Sequence, residues 1–158
     1  TEAGFGCAAA VKSAAGLGIM LAEGIGETIR VSMTDPPEDE VEVGLWLLRS
    51  LGLRRGPWLT SCPTCGRCQV DLPPIAREVE ERLRELDAPL KVAVMGCEVN
   101  GPGEARQAHV GLAAGRGRAV IFAAGEQLRT VAIEDAVDEL MTEARRIAGE
   151  MSDVDGQD

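Results

Sequence analysis

The sequence lacks any excess of positive charge. Its 158 residues carry a formal net charge of −10, which argues against nonspecific binding to nucleic acid or to an anionic membrane, since both need cationic surfaces. It also lacks a long apolar run. Nothing approaches the roughly 18 residues of a membrane-crossing helix, and no cationic segment precedes the apolar stretch Ala8 to Ala22 as it would in a signal peptide. No methionine stands ahead of Thr1, so the chain reads as a C-terminal fragment of a longer protein. Nor is there a disulfide framework. Five cysteines, an odd number gathered around one motif, fit a reducing compartment, and the expected location is the cytoplasm, or the plastid in a plant-type host. The single histidine, His109, reads as an ordinary strand or surface residue. No internal repeat or low-complexity block stands out.

What is present is soft-ligand chemistry in two loops. Ser61 to Cys68 reads SCPTCGRC, and Gly96 to Glu104 reads GCEVNGPGE. If the two loops fold together, Cys62, Cys65 and Cys97 supply three convergent thiolates, the donors that select zinc, copper(I) or iron–sulfur centres. A closed zinc site needs four ligands, commonly presented as two pairs. Here the second loop offers one cysteine and then a carboxylate, Glu104, seven residues on. Cys68 is a candidate fourth sulfur, so a zinc module built from Cys62, Cys65, Cys68 and Cys97 stands as one reading. A thiol switch at Cys62 and Cys65 is a weaker one, because redox C-x-x-C pairs open a helix and Pro73-Pro74 delays the helix here. In Asn100-Gly101-Pro102-Gly103-Glu104, two glycines and a proline shape a tight path that ends on an acid.

Around these loops the chain alternates strands and helices. Thr1 to Gly6 reads as a strand end, Ala8 to Glu23 as a mostly buried helix closed by Gly24, and Thr28 to Met33 as a β-branched strand. Asp35-Pro36-Pro37 then caps a helix from Glu38 to Leu51 with Val41, Leu45, Leu48 and Leu51 as its apolar stripe. Glycine-flanked Gly52 to Gly56 is the domain boundary. Beyond it come a short strand over Pro57 to Thr60, a helix from Pro73 to Leu86 with Ile75, Val79, Leu83 and Leu86 inward, and a buried strand from Leu90 to Met95. Three further strands (109–113, 118–123, 128–132), an amphipathic helix from Glu134 to Ile147 and an acidic tail after Glu150 that reads as disordered complete an α+β arrangement with the metal loops on one edge.

Cys62-Pro-Thr-Cys65 followed by Val94-Met-Gly-Cys97-Glu-Val-Asn-Gly-Pro-Gly-Glu104 closely resembles the cluster-binding region of the 4-hydroxy-3-methylbut-2-enyl diphosphate synthase family. The resemblance runs from Thr1-Glu-Ala-Gly4 through Gly24 to Ser32 and on to the C-terminal helix. It implies an α/β architecture: residues 1–55 as the last two βα units of a TIM-type barrel, residues 56–150 as a small α+β iron–sulfur domain, and residues 151–158 as a tail. It implies a 4Fe–4S cluster on Cys62, Cys65 and Cys97, with Glu104 on the fourth iron as a displaceable oxygen ligand and Asn100 beside it. Thr1, Glu2, Arg30, Ser32 and Asn100 would contact a cyclic diphosphate substrate. A guanidinium fork suits phosphate oxygens, although Arg30 equally reads as a salt-bridged or exposed strand residue. Ferredoxin or flavodoxin would donate electrons, and a homodimer would close the cluster domain of one chain over the barrel of another.

The sequence departs from the family pattern at four places. Cys7 stands where a basic residue is common, Cys68 where threonine or serine is common, Glu98 where an apolar residue is typical and His109 where an acid is common. Cys68 bears most directly on the site, because a spare thiolate there would compete with Glu104. Its alternative role, shared with Cys7, is that of a small packing side chain. Lys12 matches a family position but reads as a solvated helix lysine.

Overall fold

The computed structural model describes residues 3–97 and 101–155. They divide into two compact units, residues 1–55 and 56–158.

The first unit holds two helices, α1 (Gly6–Ala22) and α2 (Pro37–Ser50). Asp35 serves α1 rather than α2, its Oδ2 accepting the Gly6 N–H at 2.6 Å at the helix end where unpaired amides favour a carboxylate. The first turn of α2 starts on proline and carries Glu38, Asp39 and Glu40, and Glu40 accepts the Met33 N–H at 2.8 Å.

Three expectations for this unit need correction. Helix α1 is largely exposed, with only Ala9, Ser13 and Leu21 buried. The inward residues of α2 are Gly44 and Leu47, whereas Val41 is 62% exposed. Thr28 to Met33 contains no paired strand: at its end Met33 N–H goes to the Glu40 side chain, and the next residue, Thr34, donates its N–H to Gly4 C=O at 2.7 Å. Among the described residues, eight of the ten exposed large apolar side chains, Phe5, Val11, Ile19, Met20, Ile25, Val41, Leu51 and Leu53, belong to this unit.

The second unit is a five-stranded mixed sheet in the order β1 (Trp58–Ser61), β2 (Lys91–Met95), β3 (Val110–Gly115), β4 (Arg118–Ala123), β5 (Glu126–Ala132). β1, β2 and β3 are mutually parallel, and β3, β4 and β5 run antiparallel in turn. Alternation along the strands sorts side chains to two faces. Val92 and Val94, Val110 and Leu112, and Ala119 and Ile121 meet Leu72, Val79 and Leu83 of α3 (Leu72–Leu83) and Leu140, Met141 and Ala144 of α5 (Ala136–Asp155) in one dry core. On the opposite face Ala113 and Phe122 meet Ala105 of the five-residue helix α4 (Gly101–Ala105).

Small residues let α4 sit flush on the sheet. A Cβ at Gly111 would stand 2.7 Å from both Cβ and O of Ala105. One at Gly101 would lie 3.1 Å from Met95 Cβ and 3.2 Å from Ala113 Cβ. The segment read as a loop at 101–104 is a short helix, and Gly101 on the helix with Gly111 on the strand permits contact that larger residues would block. A 3-10 turn (Ile133–Asp135) leads into α5. That helix continues to Asp155, so residues 151–155 are helical where a disordered tail was expected; Arg129 of β5 pairs with Glu139 at 2.7 Å and Arg82 of α3 with Asp138 at 2.8 Å along its near end.

Candidate metal centre

The cysteine loops come together because two parallel neighbours end on the same edge of the sheet. β1 runs directly into Cys62 and β2 ends two residues before Cys97, with Ser61 in register with Val94. In open α/β sheets, sites form beyond the carboxyl ends of such strands. The ladder extends one step further, Cys62 N–H donating to Val94 C=O at 3.1 Å. The loop then turns on itself, Cys68 N–H to Cys65 C=O at 2.9 Å, and ties to the other strand end through Gln69 N–H to Gly96 C=O at 2.7 Å. Between the first two cysteines Thr64 sits at φ +51°. A β-branched residue in the left-handed region is a genuine outlier, costing roughly 1–2 kcal/mol, and strain of this kind gathers at functional sites.

No disulfide joins any of the five cysteines, and Cys65 is exposed, Cys62 half-buried and Cys97 buried. Arg67 is the cation of the site. A backbone hydrogen bond from Arg67, then one from its guanidinium, hold the Cys65 thiol below its ordinary range against a smaller opposing effect of desolvation. The guanidinium is in turn held in its charged form first by that hydrogen bond to Cys65, and its field reaches Cys97 and Glu104 as well. Thus one positive charge serves two of the thiols and the carboxylate. Glu104 is exposed on α4, in the turn after the buried Gly101.

These residues fit an iron–sulfur group by donor chemistry: thiols on two hydrogen-bonded loops, one of them held below its ordinary range by Arg67, a carboxylate nearby and a cation to offset ligand charge. Among the described residues no three His, Cys, Asp or Glu side chains converge closely enough to hold a single metal ion. Ligands to separate irons of a cubane surround a larger group and stand farther apart than ligands to one ion.

The second unit brings Cys62, Cys65, Cys97 and Glu104 to one edge. Asn100, Thr1 and Glu2 lie outside the described residues. Arg30 and Ser32 belong to the first unit, where Arg30 is exposed and Ser32 half-buried on an extended, unladdered segment; Arg30 lines an open cleft of about 310 Å³ with Glu40, Leu45 and Leu48. A second cleft, of about 290 Å³, flanks Cys62 and is lined by Ser61, Thr64, Leu72, Arg77 and Glu80. His109 is structural: its Nδ1 accepts the Lys91 N–H at 3.0 Å and its own N–H donates to Lys91 C=O at 2.9 Å, at the end of β2 away from Cys97. Arg67 and Gly96 were not singled out in the sequence. Their signals were a cation placed between two ligand-type cysteines and a glycine immediately before the third.

Comparison with known proteins places both units. The GcpE protein C-terminal domain model matches residues 58–146 and the GcpE TIM-barrel domain model residues 1–45. A protein of Geobacter sulfurreducens named 4-hydroxy-3-methylbut-2-en-1-yl diphosphate synthase (flavodoxin) is 56% identical over 95% of this chain and 43% of its own length. Proteins of the same name from Clavibacter sepedonicus and an Arthrobacter species are 53% and 50% identical over 96% and 100% of this chain, and over 40% and 41% of theirs. The chain thus spans about two fifths of the length of the curated relatives it matches.

Proposed function

The chain belongs to the GcpE family, and on that premise we propose that it is the C-terminal part of a 4-hydroxy-3-methylbut-2-enyl diphosphate synthase, an oxidoreductase of isoprenoid biosynthesis. The observation that carries this reading is the meeting of Cys62 with the strand end before Cys97 at one sheet edge, with Arg67 acting on Cys65, Cys97 and Glu104 together. Cys62, Cys65 and Cys97 would hold a 4Fe–4S cluster and Glu104 its fourth iron. When bound, that group supplies single electrons and Lewis acidity. In the reaction, two electrons from reduced flavodoxin or ferredoxin and two protons convert 2-C-methyl-D-erythritol 2,4-cyclodiphosphate to the open-chain 4-hydroxy-3-methylbut-2-enyl diphosphate and one water.

The protein's own contributions are positional and electrostatic. The β1–β2 ladder holds the thiol loops in register, Arg67 would offset the negative charge of thiolates and carboxylate, and α4, seated on the sheet through Ala105, carries the exposed Glu104. A carboxylate is a harder and more readily displaced ligand than a thiolate, so Glu104 would leave room for a substrate oxygen. Residues 1–55 would close a TIM-type barrel, with Arg30 and Ser32 directed to the diphosphate, in a homodimer that pairs the cluster domain of one copy with the barrel of another.

Turnover of the full-length protein with the cyclic diphosphate and reduced flavodoxin tests the reading. Cys97→Ala should abolish both cluster and activity, whereas Glu104→Ala should keep the iron, alter its paramagnetic spectrum and lose turnover. Unchanged turnover in Glu104→Ala would remove Glu104 from this role. A zinc module needs Cys68 as ligand, and the position of that thiol against Gly96 and Val70 favours the iron–sulfur reading over it.

A further inference from the structure

We propose that Cys68 and Gly96 form a steric clasp that sets the separation of the loop bearing Cys62 and Cys65 from the strand end bearing Cys97, with Cys68 a positioning residue rather than a ligand. The geometry of this clasp is independent of the iron–sulfur reading; its consequence for the site rests on that reading.

Gly96 is buried, and a Cβ built on it would stand 2.4 Å from Cys68 Sγ, with Leu72 Cδ2 and Cδ1 at 3.4 and 3.5 Å. The thiol therefore fills the space that any side chain at position 96 would need. Cys68 is itself fixed on three sides. Its N–H closes the turn to Cys65 C=O, its Sγ donates to Val70 C=O at 3.3 Å, and the next residue, Gln69, donates its N–H to Gly96 C=O. A sulfur wedged against backbone and engaged with a carbonyl is not poised to turn toward a metal.

The clasp lies three residues after Cys65 and one before Cys97, so it joins the two ligand loops close to a cysteine of each. Close-packed interiors transmit a misfit of one methyl group. A residue larger than glycine at 96 would push the first loop off the second strand end and spread the three thiols. Serine at 68 keeps the polar contact to Val70 in less volume, whereas alanine at 68 opens the space that a methyl at 96 would occupy.

The test uses the full-length protein, reconstituted anaerobically, with iron, sulfide and paramagnetic spectrum measured for the wild type, Cys68→Ser, Gly96→Ala, and Gly96→Ala combined with Cys68→Ala. Cys68→Ser should keep the wild-type iron complement and spectrum. Gly96→Ala should lose most of its iron, and the remainder should show an altered spectrum, because a change that merely weakened the fold would lower occupancy and leave the spectrum as it was. The double variant should recover both. The proposal is overturned if Cys68→Ser loses iron, if Gly96→Ala matches the wild type or retains its spectrum at lower occupancy, or if the double variant is as depleted as Gly96→Ala. Should the wild type itself take up neither iron nor sulfide, the iron–sulfur reading fails and the clasp is judged on thermal unfolding of the metal-free proteins. A lowered midpoint in Gly96→Ala restored by Cys68→Ala supports it, and equal midpoints for Gly96→Ala and the wild type sink it.

Discussion

Arg67 lies between Cys65 and Cys68 in the chain, yet its influence is understood only once the two loops are joined. Its hydrogen bonds lower the Cys65 pKa, so in the metal-free protein Cys65 should react as thiolate at lower pH than an ordinary cysteine. In a variant with the other four cysteines changed to serine, the rate of alkylation should rise with pH to a midpoint below that of a free thiol. Arg67→Met should move the midpoint upward by removing the side-chain bond and the charge, while Arg67→Lys, which keeps the charge without the fork, should fall between. An unmoved midpoint in Arg67→Met would mean that the guanidinium does not engage the thiol. Cys62, Cys65 and Cys97 stand out in the sequence as soft-ligand candidates through spacing and thiol chemistry, and Glu104 as the carboxylate seven residues after Cys97. The roles of Arg67, Cys68 and Gly96 do not, because each depends on what a side chain touches across two loops separated by more than two dozen residues.

Helix α4 is held to the sheet by absence of side chain, and this makes Gly111 a lever on Glu104. Gly111→Ala would force its methyl against Cβ, O and Cα of Ala105 at 2.7 to 2.9 Å. Backbone must shift to relieve such contacts, at a cost typically of about 1–3 kcal/mol. Thermal or denaturant unfolding should show that loss, and the displacement of α4 should weaken the carboxylate's hold on its iron, giving a spectrum resembling that of Glu104→Ala. A Gly111→Ala protein of wild-type stability would contradict the packing of α4 on β3. Elsewhere the elements of the second unit were readable from apolar runs: β2 and β4 came within a residue of their expected bounds because each is a short, near-continuous apolar run bounded by turn residues, the pattern of a buried strand. The five-residue α4 escaped notice because glycine and proline signal turns more often than helices, and its stability comes from the sheet beneath it. Val41, Leu45, Leu48 and Leu51 kept helical spacing, but spacing cannot tell which of two apolar faces a neighbour will cover; Gly44 and Leu47 were covered instead.

The two units differ in how they bury apolar surface. The second has a sheet with helices on both faces and a core on each, the layered burial from which independent folding is expected. The first leaves Phe5, Val11, Ile19 and Val41 more than half exposed, so much of its apolar surface is not closed within the unit. Residues 56–158 expressed alone should unfold cooperatively with a midpoint close to that of the chain's main transition, while residues 1–55 alone should bind a hydrophobic dye and lack a cooperative transition. A cooperative, dye-silent 1–55 fragment would show that its two helices suffice as a core. The boundary was readable because glycine-flanked Gly52 to Gly56 interrupts both helical and strand periodicity. The missing strand at 28–33 was not, because β-branched composition reports a preference for pairing and not the presence of a partner.

The central claim is that the edge beyond β1 and β2 holds a cubane through three thiolates and Glu104. Anaerobic iron and acid-labile sulfide analysis of the purified chain, with paramagnetic resonance after reduction, addresses it most directly. About four irons and four sulfides per chain, with a reduced-cluster signal lost in Cys97→Ala, is the predicted result. One tightly held zinc without sulfide after anaerobic reconstitution would contradict it.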